Sequence, residues 1–445
     1  MNRIKALFGV VVVVLVTMIT SGPAQAQRLS LIRDAEIEST LRDMSTPILQ
    51  AAGLSPATVD IFIINDRRLN AFVAGGRRIF LNTGLMIDLE TPEELLGVIA
   101  HEAAHIAGGH EARRRLDARN AQGPALLGLL IGIAAGVAGS PEGGAAASAA
   151  SQEIARRFFL RNTRAQEASA DQAGLNYMVR AGIDPSGLLD VLQRFRGQEV
   201  LQIGNVDPYV LTHPLGTQRM SLLQRRVAEL GDRTWPENPD REYWHARLRA
   251  KLEGFLVRPE LALDRLEGKP ETEFTLITKA AALREIEPRR AVALADRLIA
   301  IRPNDAYYAE LKGQILLESG QADAALPYYR RAVQLAPNQP LLKAGLGRAL
   351  LQKNSPSRNA EALKILKDAR SDDMADVAAL RDLATAYDRA GDPAMAALAT
   401  AERYALVGDV QSAVSLAGRA AKVLPNGSPG WLRAQDILKL KPTEE

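Results

Sequence analysis

The C-terminal part of the chain repeats itself with a fixed period, and this period restricts what that part can fold into. Residues recur 34 positions apart at Pro303 and Pro337, Ala291 and Ala325, and Gly313 and Gly347. Within one period the order is Gly313, Gly320, Ala325, Tyr329, Ala332 and Pro337. Small residues let two helices cross closely, an aromatic ring fills the gap between them, and a proline closes the second helix. The period therefore predicts stacked helix–turn–helix units.

A 34-residue helix–turn–helix period is the signature of tetratricopeptide repeats. A later unit keeps the same spacing at Ala413, Ala417, Ala420 and Pro425. Residues 354–358 read as a small insertion, and the unit around residues 383–404 is degenerate. We therefore expect about four to five repeats, irregular at the ends. Stacked repeats form a concave surface that suits the binding of peptides or proteins.

The first residues have the character of an export signal. Arg3 and Lys5 precede an almost unbroken apolar run at residues 6–20, and Ala24-Gln25-Ala26 supplies a small-x-small cleavage pattern. Because the run is shorter than the roughly 20 residues needed to cross a bilayer, a cleaved signal is favoured over an uncleaved anchor. We expect residues 1–26 to be a signal peptide and the mature chain to lie in the periplasm. The absence of cysteine is compatible with that compartment.

The charge pattern argues against one class of partner. The formal net charge is +3, and acidic and basic residues are interspersed along the chain. Nucleic-acid binding usually needs a dense basic patch or stripe, and no such tract occurs. We therefore expect no nucleic-acid partner.

A short motif in the N-terminal half carries metal chemistry. His101-Glu102-Ala103-Ala104-His105 follows a helix start with Thr91 as N-cap, Pro92 in the first turn and Glu94 to close a capping box. His101 and His105 then lie one turn apart on the same face, where two imidazoles can hold one ion. Glu102 lies beside them, close enough to act as a base on a water molecule. The alternative, a solvated polar helix face, does not fit the apolar character of this helix.

A catalytic zinc site usually takes three protein ligands, and two kinds of third ligand are compatible with the sequence. In the metzincin pattern Gly108 fits, but the position of the third histidine is taken by Glu111. His110 is one residue early, and along a continuous helix that offset turns a side chain by about 100°. The other kind is a glutamate from a later helix, and Glu167 provides it in Glu167-Ala168-Ser169-Ala170-Asp171. Asp171 would then accept a hydrogen bond from a ligand histidine and fix its tautomer.

These motifs together resemble the gluzincin peptidases of the HtpX/BepA type, over roughly residues 30–225. The histidine helix and the downstream Glu-x-x-Ala-Asp helix match the family pattern. Asn70-Ala71-Phe72, with Gly75-Gly76 as a two-residue turn, matches its edge-strand hairpin, and His213-Pro214 with Arg219 matches its His-Pro segment. With an export signal and repeats added, the chain is similar to the periplasmic β-barrel assembly-enhancing protease group.

The resemblance implies one zinc ion per chain, endopeptidase activity, and a role in outer-membrane protein assembly and quality control. It implies His101, His105 and Glu167 as metal ligands, with Glu102 as the catalytic base. Substrate backbone would add to the edge strand at Phe72, Val73 and Ala74. His213 has two readings at the site: it donates a hydrogen bond to the oxyanion, or it occupies the open zinc position and keeps the enzyme latent. The alternative is that His213-Pro214 only caps a loop. Arg219 pairs with a site carboxylate or is an ordinary helix residue.

An apolar stretch at residues 124–139, from Pro124 to Gly139, is interrupted by several glycines. It reads as a buried hairpin, a lid, or a loop that touches the membrane peripherally, and we favour the last two. The expected partners are unfolded or misassembled envelope proteins, with the outer-membrane barrel assembly machinery contacting the repeats. The alternative function is a periplasmic chaperone or scaffold with a latent or non-catalytic zinc site.

The domain division follows from these segments, since 445 residues are too many for one ordinary core. We predict a mainly α protein. A zincin-like metallopeptidase domain with a small β-hairpin and edge sheet covers residues 27–230. A connector at 231–260 leads to an α-solenoid of tetratricopeptide repeats at 261–445.

Overall fold

The computed structural model describes residues 30–113, 116, 164–196, 209, 213 and 217–440. The expected signal peptide at residues 1–26 and the apolar stretch at 124–139 lie outside these ranges. In the described part, none of the helices combines the length and the apolar character needed to cross a membrane. The described part is mainly helical with a small sheet, which confirms the predicted fold class.

A small mixed sheet lies in the N-terminal half. Its strands are β1 (Leu31–Ile32), β2 (Asp60–Ile64), β3 (Ala71–Ala74) and β4 (Arg78–Asn82), in the order β1-β2-β4-β3. β2 is parallel to β4, and β3 pairs antiparallel with β4. The β3–β4 turn has three residues, 75–77, instead of the two expected, because Ala74 pairs with Arg78. Among the described strands, β3 therefore has β4 on one side and no neighbour on the other, and we call this side the open edge.

The histidine motif lies on a well-capped helix. α1 (Ala35–Ala51) and α2 (Thr83–Asp88) precede it, and α3 runs over Pro92–Ala107. The Thr91 side chain accepts from the Glu94 N–H while the Glu94 carboxylate accepts from the Thr91 N–H, which is the predicted capping box. Most of α3 is buried, so its position is set by core packing as well as by its cap.

Two glycines let other helices approach α3 closely. α4 is helical over residues 164–180, and α5 is Ser186–Arg194. A Cβ at Gly174 on α4 would lie 3.1 Å from the backbone of Ala100 and His101. A Cβ at Gly97 on α3 would lie 2.8 Å from the backbone of Leu188 on α5. The Gly174 contact places α4 directly against α3 beside His101.

The C-terminal half is a stack of helix pairs. After α6 (Thr217–Ala228), α7 (Pro239–Leu256) and α8 (Pro259–Asp264), the chain forms α9 (Glu273–Leu283), α10 (Pro288–Ile301), α11 (Ala306–Glu318), α12 (Ala322–Leu335), α13 (Pro340–Leu351), α14 (Pro356–Asp372), α15 (Val377–Arg389), α16 (Pro393–Leu406), α17 (Val410–Val423) and α18 (Pro429–Leu438). The Tyr329 ring lies against both Gly313 and Gly345, where a Cβ would come within 3.0 and 2.7 Å of it. The small residues of the period thus make room for its aromatic residue.

A buried ionic cluster joins the two halves, and we call it the junction: Asp34, Glu36, Arg247, Lys251, Asp305 and Glu310. Arg247 on α7 pairs with Glu36 at the start of α1 and, at 2.5 Å, with Asp305 before α11. Lys251 pairs with Asp34 at 2.8 Å and with Glu36 at 3.2 Å. The beginning of α1 is therefore fixed to the repeats through the cations of α7.

Candidate metal centre

Helix α3 presents two histidines to one point. His101 and His105 are one turn apart and both buried, with exposures of 0% and 1%. Their rings meet edge to face at 4.7 Å between centroids, and their Nε2 atoms are 3.0 Å apart. The four-residue spacing predicted this arrangement from the helical period.

Two further side chains complete the cluster. Glu167 on α4 has a carboxylate oxygen 3.2 Å from His101 Nε2 and another 3.4 Å from His105 Nε2. His213 Nδ1 lies 3.2 Å from His101 Nε2 and 2.9 Å from Glu167 Oε2. One donor atom from each of the four residues lies within 4.8 Å of the others, and all four residues are buried. The structure thus brings together side chains from α3, α4 and the segment before α6.

The spacing of these donor atoms fits a single metal ion. Four ligands at about 2.0–2.1 Å from a tetrahedral zinc ion are about 3.3 Å from one another. Five separations in this cluster run from 2.9 to 3.4 Å when both Glu167 oxygens are counted, and with one donor atom per residue all separations lie within 4.8 Å. Three imidazole nitrogens and one carboxylate oxygen are also a donor set that zinc accepts. These four residues could therefore hold one metal ion.

A salt bridge behind the cluster orients the first histidine. His101 Nδ1 lies 3.0 Å from an Asp171 oxygen, so the proton of a neutral ring lies on this nitrogen. The lone pair of Nε2 then faces the cluster, where it can bind a metal. Arg219 holds Asp171 by two hydrogen bonds, of 2.7 and 2.8 Å, and also donates to the His213 carbonyl at 3.3 Å. His101, Asp171 and Arg219 are all buried, and Asp171 and Arg219 are 3% and 5% exposed.

The electrostatics of the cluster favour a positive charge at its centre. Burial opposes protonation of His101, but hydrogen bonds and attraction to Asp171 and Glu167 raise its pKa to about 10. Burial lowers the pKa of His105 to about 3. Burial alone would raise the pKa of Glu167, yet the His213 charge and the hydrogen bonds from the three histidines hold it well below its usual range. Burial likewise opposes ionisation of Asp171, but the Arg219 charge lowers its pKa to about 2. A carboxylate that stays ionised among histidines suits a bound cation.

Glu102 and the edge strand adjoin the cluster. Glu102 is completely buried, and its Oε1 lies 3.4 Å from His213 Nε2. The same His213 nitrogen lies 3.1 Å from the carbonyl oxygen of Ala71, at the start of β3. Since Asn70 uses its carbonyl to bond Asn82, strand alternation points the polar groups of residues 71 and 73 away from β4. His213 thus touches the open edge of the sheet.

Sequence reasoning missed two contacts of this site. Tyr209 is fully buried and stacks between Phe195 and His213, at 4.8 Å from each ring. Its carbonyl also accepts from the His213 N–H at 2.8 Å, so Tyr209 helps to orient that histidine. His110 lies with its Nδ1 3.0 Å from His105 Nδ1. No motif signals Tyr209. On a continuous helix His110 would lie away from the cluster, but α3 ends at Ala107.

Residues 31–227, which carry all of these side chains, match peptidase family M48. This part of the chain is therefore similar to M48 peptidases. The chain is a metalloprotease, as the sequence predicted. Residues 316–358 match the tetratricopeptide repeat family, which confirms the second half of the fold prediction.

Two curated relatives are similar to the chain over most of its length. The chain is 26% identical over 405 residues to the β-barrel assembly-enhancing protease of Escherichia coli strain K12, covering 89% of this chain and 81% of the relative. It is 24% identical over 343 residues to the protein of the same name from Yersinia pestis, covering 76% and 69%. Among solved structures, yeast Tom70 is 14% identical over 64% of this chain and 59% of that chain, with a TM-score of 0.31.

Proposed function

We propose that this metalloprotease is a zinc-dependent endopeptidase of the periplasm that acts on unfolded or misassembled envelope proteins. The observation that carries the proposal is the buried cluster of His101, His105, Glu167 and His213, with Glu102 beside it. The relatives that cover most of the chain are named β-barrel assembly-enhancing proteases, which supports a role in outer-membrane protein assembly. The chain would then work where such proteins pass, and residues 1–26 would be its export signal.

The metal ligands in this proposal are His101, His105 and Glu167, and the metal is one zinc ion per chain. Zinc at this point would polarise the scissile carbonyl and make water acidic enough to attack near neutral pH. Glu102 takes the proton of the attacking water and delivers it to the leaving amine. Asp171, held by Arg219, keeps His101 in the tautomer that presents Nε2.

The open edge of β3 is the substrate platform. Phe72, Val73 and Ala74 lie along this edge, and the N–H and carbonyl of Val73 point away from β4. An extended peptide can add to such an edge through main-chain hydrogen bonds, which recognise backbone and not sequence. A protease that binds substrates in this way selects extended, unfolded segments, in keeping with the proposed substrates.

We propose that His213 acts as a latch, which is the latent reading of this residue. Its Nε2 lies 3.1 Å from the Ala71 carbonyl, so this nitrogen carries the proton and Nδ1 is available to the metal. A catalytic zinc site keeps one position for water or substrate, whereas His213 supplies a fourth donor here. The Nε2–H of His213 also donates to the Ala71 carbonyl oxygen, which points away from β4 toward the side where substrate would bind. Of its two readings, latency is the better supported.

The repeats are the second binding element. A cavity of about 1010 Å³ lies between the start of the peptidase domain, at Leu31 and Asp34, and the faces of α11, α13 and α15. Leu341 and Arg348 are among its lining residues, so apolar and charged contacts are both available. We propose that protein substrates or a barrel-assembly partner bind here. The division at 27–230, 231–260 and 261–445, and a peripheral membrane contact through residues 124–139, belong to the same proposal.

The latch can be tested by cleavage of an unfolded model protein with the zinc-loaded chain and its His213→Ala variant. We expect the variant to cleave faster, because its fourth position is open. The double variant with Glu102→Gln should be inactive, which excludes a contaminating protease. If His213→Ala binds zinc but cleaves no faster than wild type, the latch is refuted and the oxyanion reading regains support.

A further inference from the structure

The chain turns sharply after the histidine helix. α3 ends at Ala107, Gly108 forms its C-cap, and Gly109 has a positive φ of 62°. A short helical segment at residues 110–113 follows. In a continuous helix His110 would lie about 140° around the axis from His105, because successive residues turn by about 100°. The break at the two glycines instead returns His110 to the ring of His105.

The contact between these two rings is close and shielded from solvent. Their Nδ1 atoms are 3.0 Å apart, and the rings meet at 80° with centroids 5.0 Å apart. His110 is 3% exposed. A Cβ on Gly108 would lie 2.5 Å from His110 Nε2 and 3.0 Å from the Ala104 carbonyl oxygen, so a side chain at position 108 would displace the ring. The His110 imidazole therefore packs between the Gly108 backbone and the His105 ring.

The direction of the hydrogen bond follows from the metal-facing side of His105. His105 directs Nε2 to the cluster, 3.0 Å from His101 Nε2 and 3.4 Å from Glu167. A neutral imidazole that offers one nitrogen as a ligand carries its proton on the other. His105 Nδ1–H then donates to His110 Nδ1, and His110 carries its own proton on Nε2. His110 thus accepts a hydrogen bond from His105, as Asp171 does from His101. His110 is a neutral acceptor, whereas Asp171 is charged.

We propose that His110 is a positioning residue that holds His105 in the tautomer and ring orientation that bind the metal. This inference rests on the proposed zinc site. Partners of this kind are worth about 10–100-fold in metal affinity. Packing alone would not require a nitrogen at this place, since an apolar side chain of similar size would also fill the space. The acceptor atom is what the proposal assigns to His110.

The test is the zinc affinity of three full-length variants, measured by competition with a chelator of known affinity. His110→Leu removes the acceptor and should weaken zinc binding about 10–100-fold. His110→Asn keeps an acceptor oxygen at the δ position and should stay close to wild type. Glu111→Ala is the matched control, because Glu111 lies in the same segment but accepts from the N–H groups of Gly75 and Gly76. It should leave zinc affinity unchanged.

Zinc binding by His110→Leu as tight as wild type would overturn the proposal. Equal weakening in His110→Leu and His110→Asn would also overturn it, since the acceptor would then make no difference. A wild-type chain that binds no zinc would instead refute the proposed function on which the inference rests. These three outcomes are distinguishable in one titration series.

A second measurement needs no variant, and so it stands even if a substituted chain fails to fold. The chain has five histidines, so the imidazole nitrogen resonances of the zinc-loaded ¹⁵N-labelled protein are few. We expect His110 to carry its proton on Nε2 and to have an unprotonated Nδ1. A His110 ring protonated on Nδ1 contradicts the proposal.

Discussion

Glu310 lies at the junction, where the start of the peptidase domain meets the repeats. Its side chain on α11 is only 18% exposed, and its Oε2 is 3.7 Å from the Lys251 ammonium. Asp34 and Glu36 contact the same ammonium at 2.8 and 3.2 Å. Three carboxylates thus share this cation, which leaves Glu310 with the longest contact of the three.

This environment makes Glu310 hold a proton that an unfolded chain would release. Burial raises its pKa most. Lys251 opposes that rise, the charges of Asp34, Glu36 and Glu318 add to it, and the pKa reaches about 7. Between pH 4.5 and pH 7 the folded chain therefore binds one more proton than the unfolded chain. The free energy of unfolding therefore falls by about 3 kcal/mol as pH rises from 4.5 to 7. The stabilisation is fully present below pH 4.5 and lost above pH 7.

The variant Glu310→Gln removes this loss, because its amide is neutral at every pH. At pH 4.5 it should match wild type, and at pH 8 it should be more stable by up to about 3 kcal/mol. Urea unfolding followed by tryptophan fluorescence measures this, since Trp244 lies over the Arg247 side chain of the junction. Glu285→Gln is the control, because Glu285 is 69% exposed. If Glu310→Gln and wild type lose stability equally between pH 4.5 and 8, Glu310 does not hold the extra proton of the folded chain.

Three further changes test the packing, the metal centre and the edge strand. Gly97→Ala should destabilise the peptidase domain by about 1–3 kcal/mol, since its Cβ would lie 2.8 Å from the Leu188 backbone. The helical control Gly418→Ala, whose Cβ meets no atom nearer than 3.8 Å, should not lower the melting temperature. Asp171→Asn should weaken zinc binding about 10–100-fold in a chelator competition, and unchanged affinity would contradict its orienting role. In the His213→Ala background, Val73→Pro should raise KM for unfolded substrate with zinc content unchanged, whereas Val73→Ala, which keeps the N–H, should not.

The parts of the fold that rest on local periodicity could be predicted from the sequence. The 34-residue period predicted the stacked helix pairs, and the spacing of His101 and His105 predicted one shared helix face. Glu167 could be named because its motif repeats a known family pattern, although 62 residues separate it from His105. The structure brings Glu167 and His213 to the same point, and their roles as ligand and latch are predictions for the experiments above.

Other features depend on backbone breaks and tertiary contacts that no local pattern encodes. His110 seemed misplaced because helical geometry was extended past Ala107, where the two glycines turn the chain. Tyr209 has no motif, and only the folded chain stacks it on His213. Arg247 lies in the segment predicted as a connector, and its partners Glu36 and Asp305 are 211 and 58 residues away in sequence. Such a buried pairing follows from the docking of the two halves.

We propose that peptide-bond cleavage by this chain requires both a zinc-loaded cluster and Glu102. Its most direct test compares the purified mature chain with Glu102→Gln, in zinc content and in cleavage of an unfolded protein, both in the His213→Ala background. We predict one zinc ion per chain in both proteins and cleavage only where Glu102 is intact. A chain that binds no zinc, or a Glu102→Gln variant that cleaves as fast as its parent, would contradict the account.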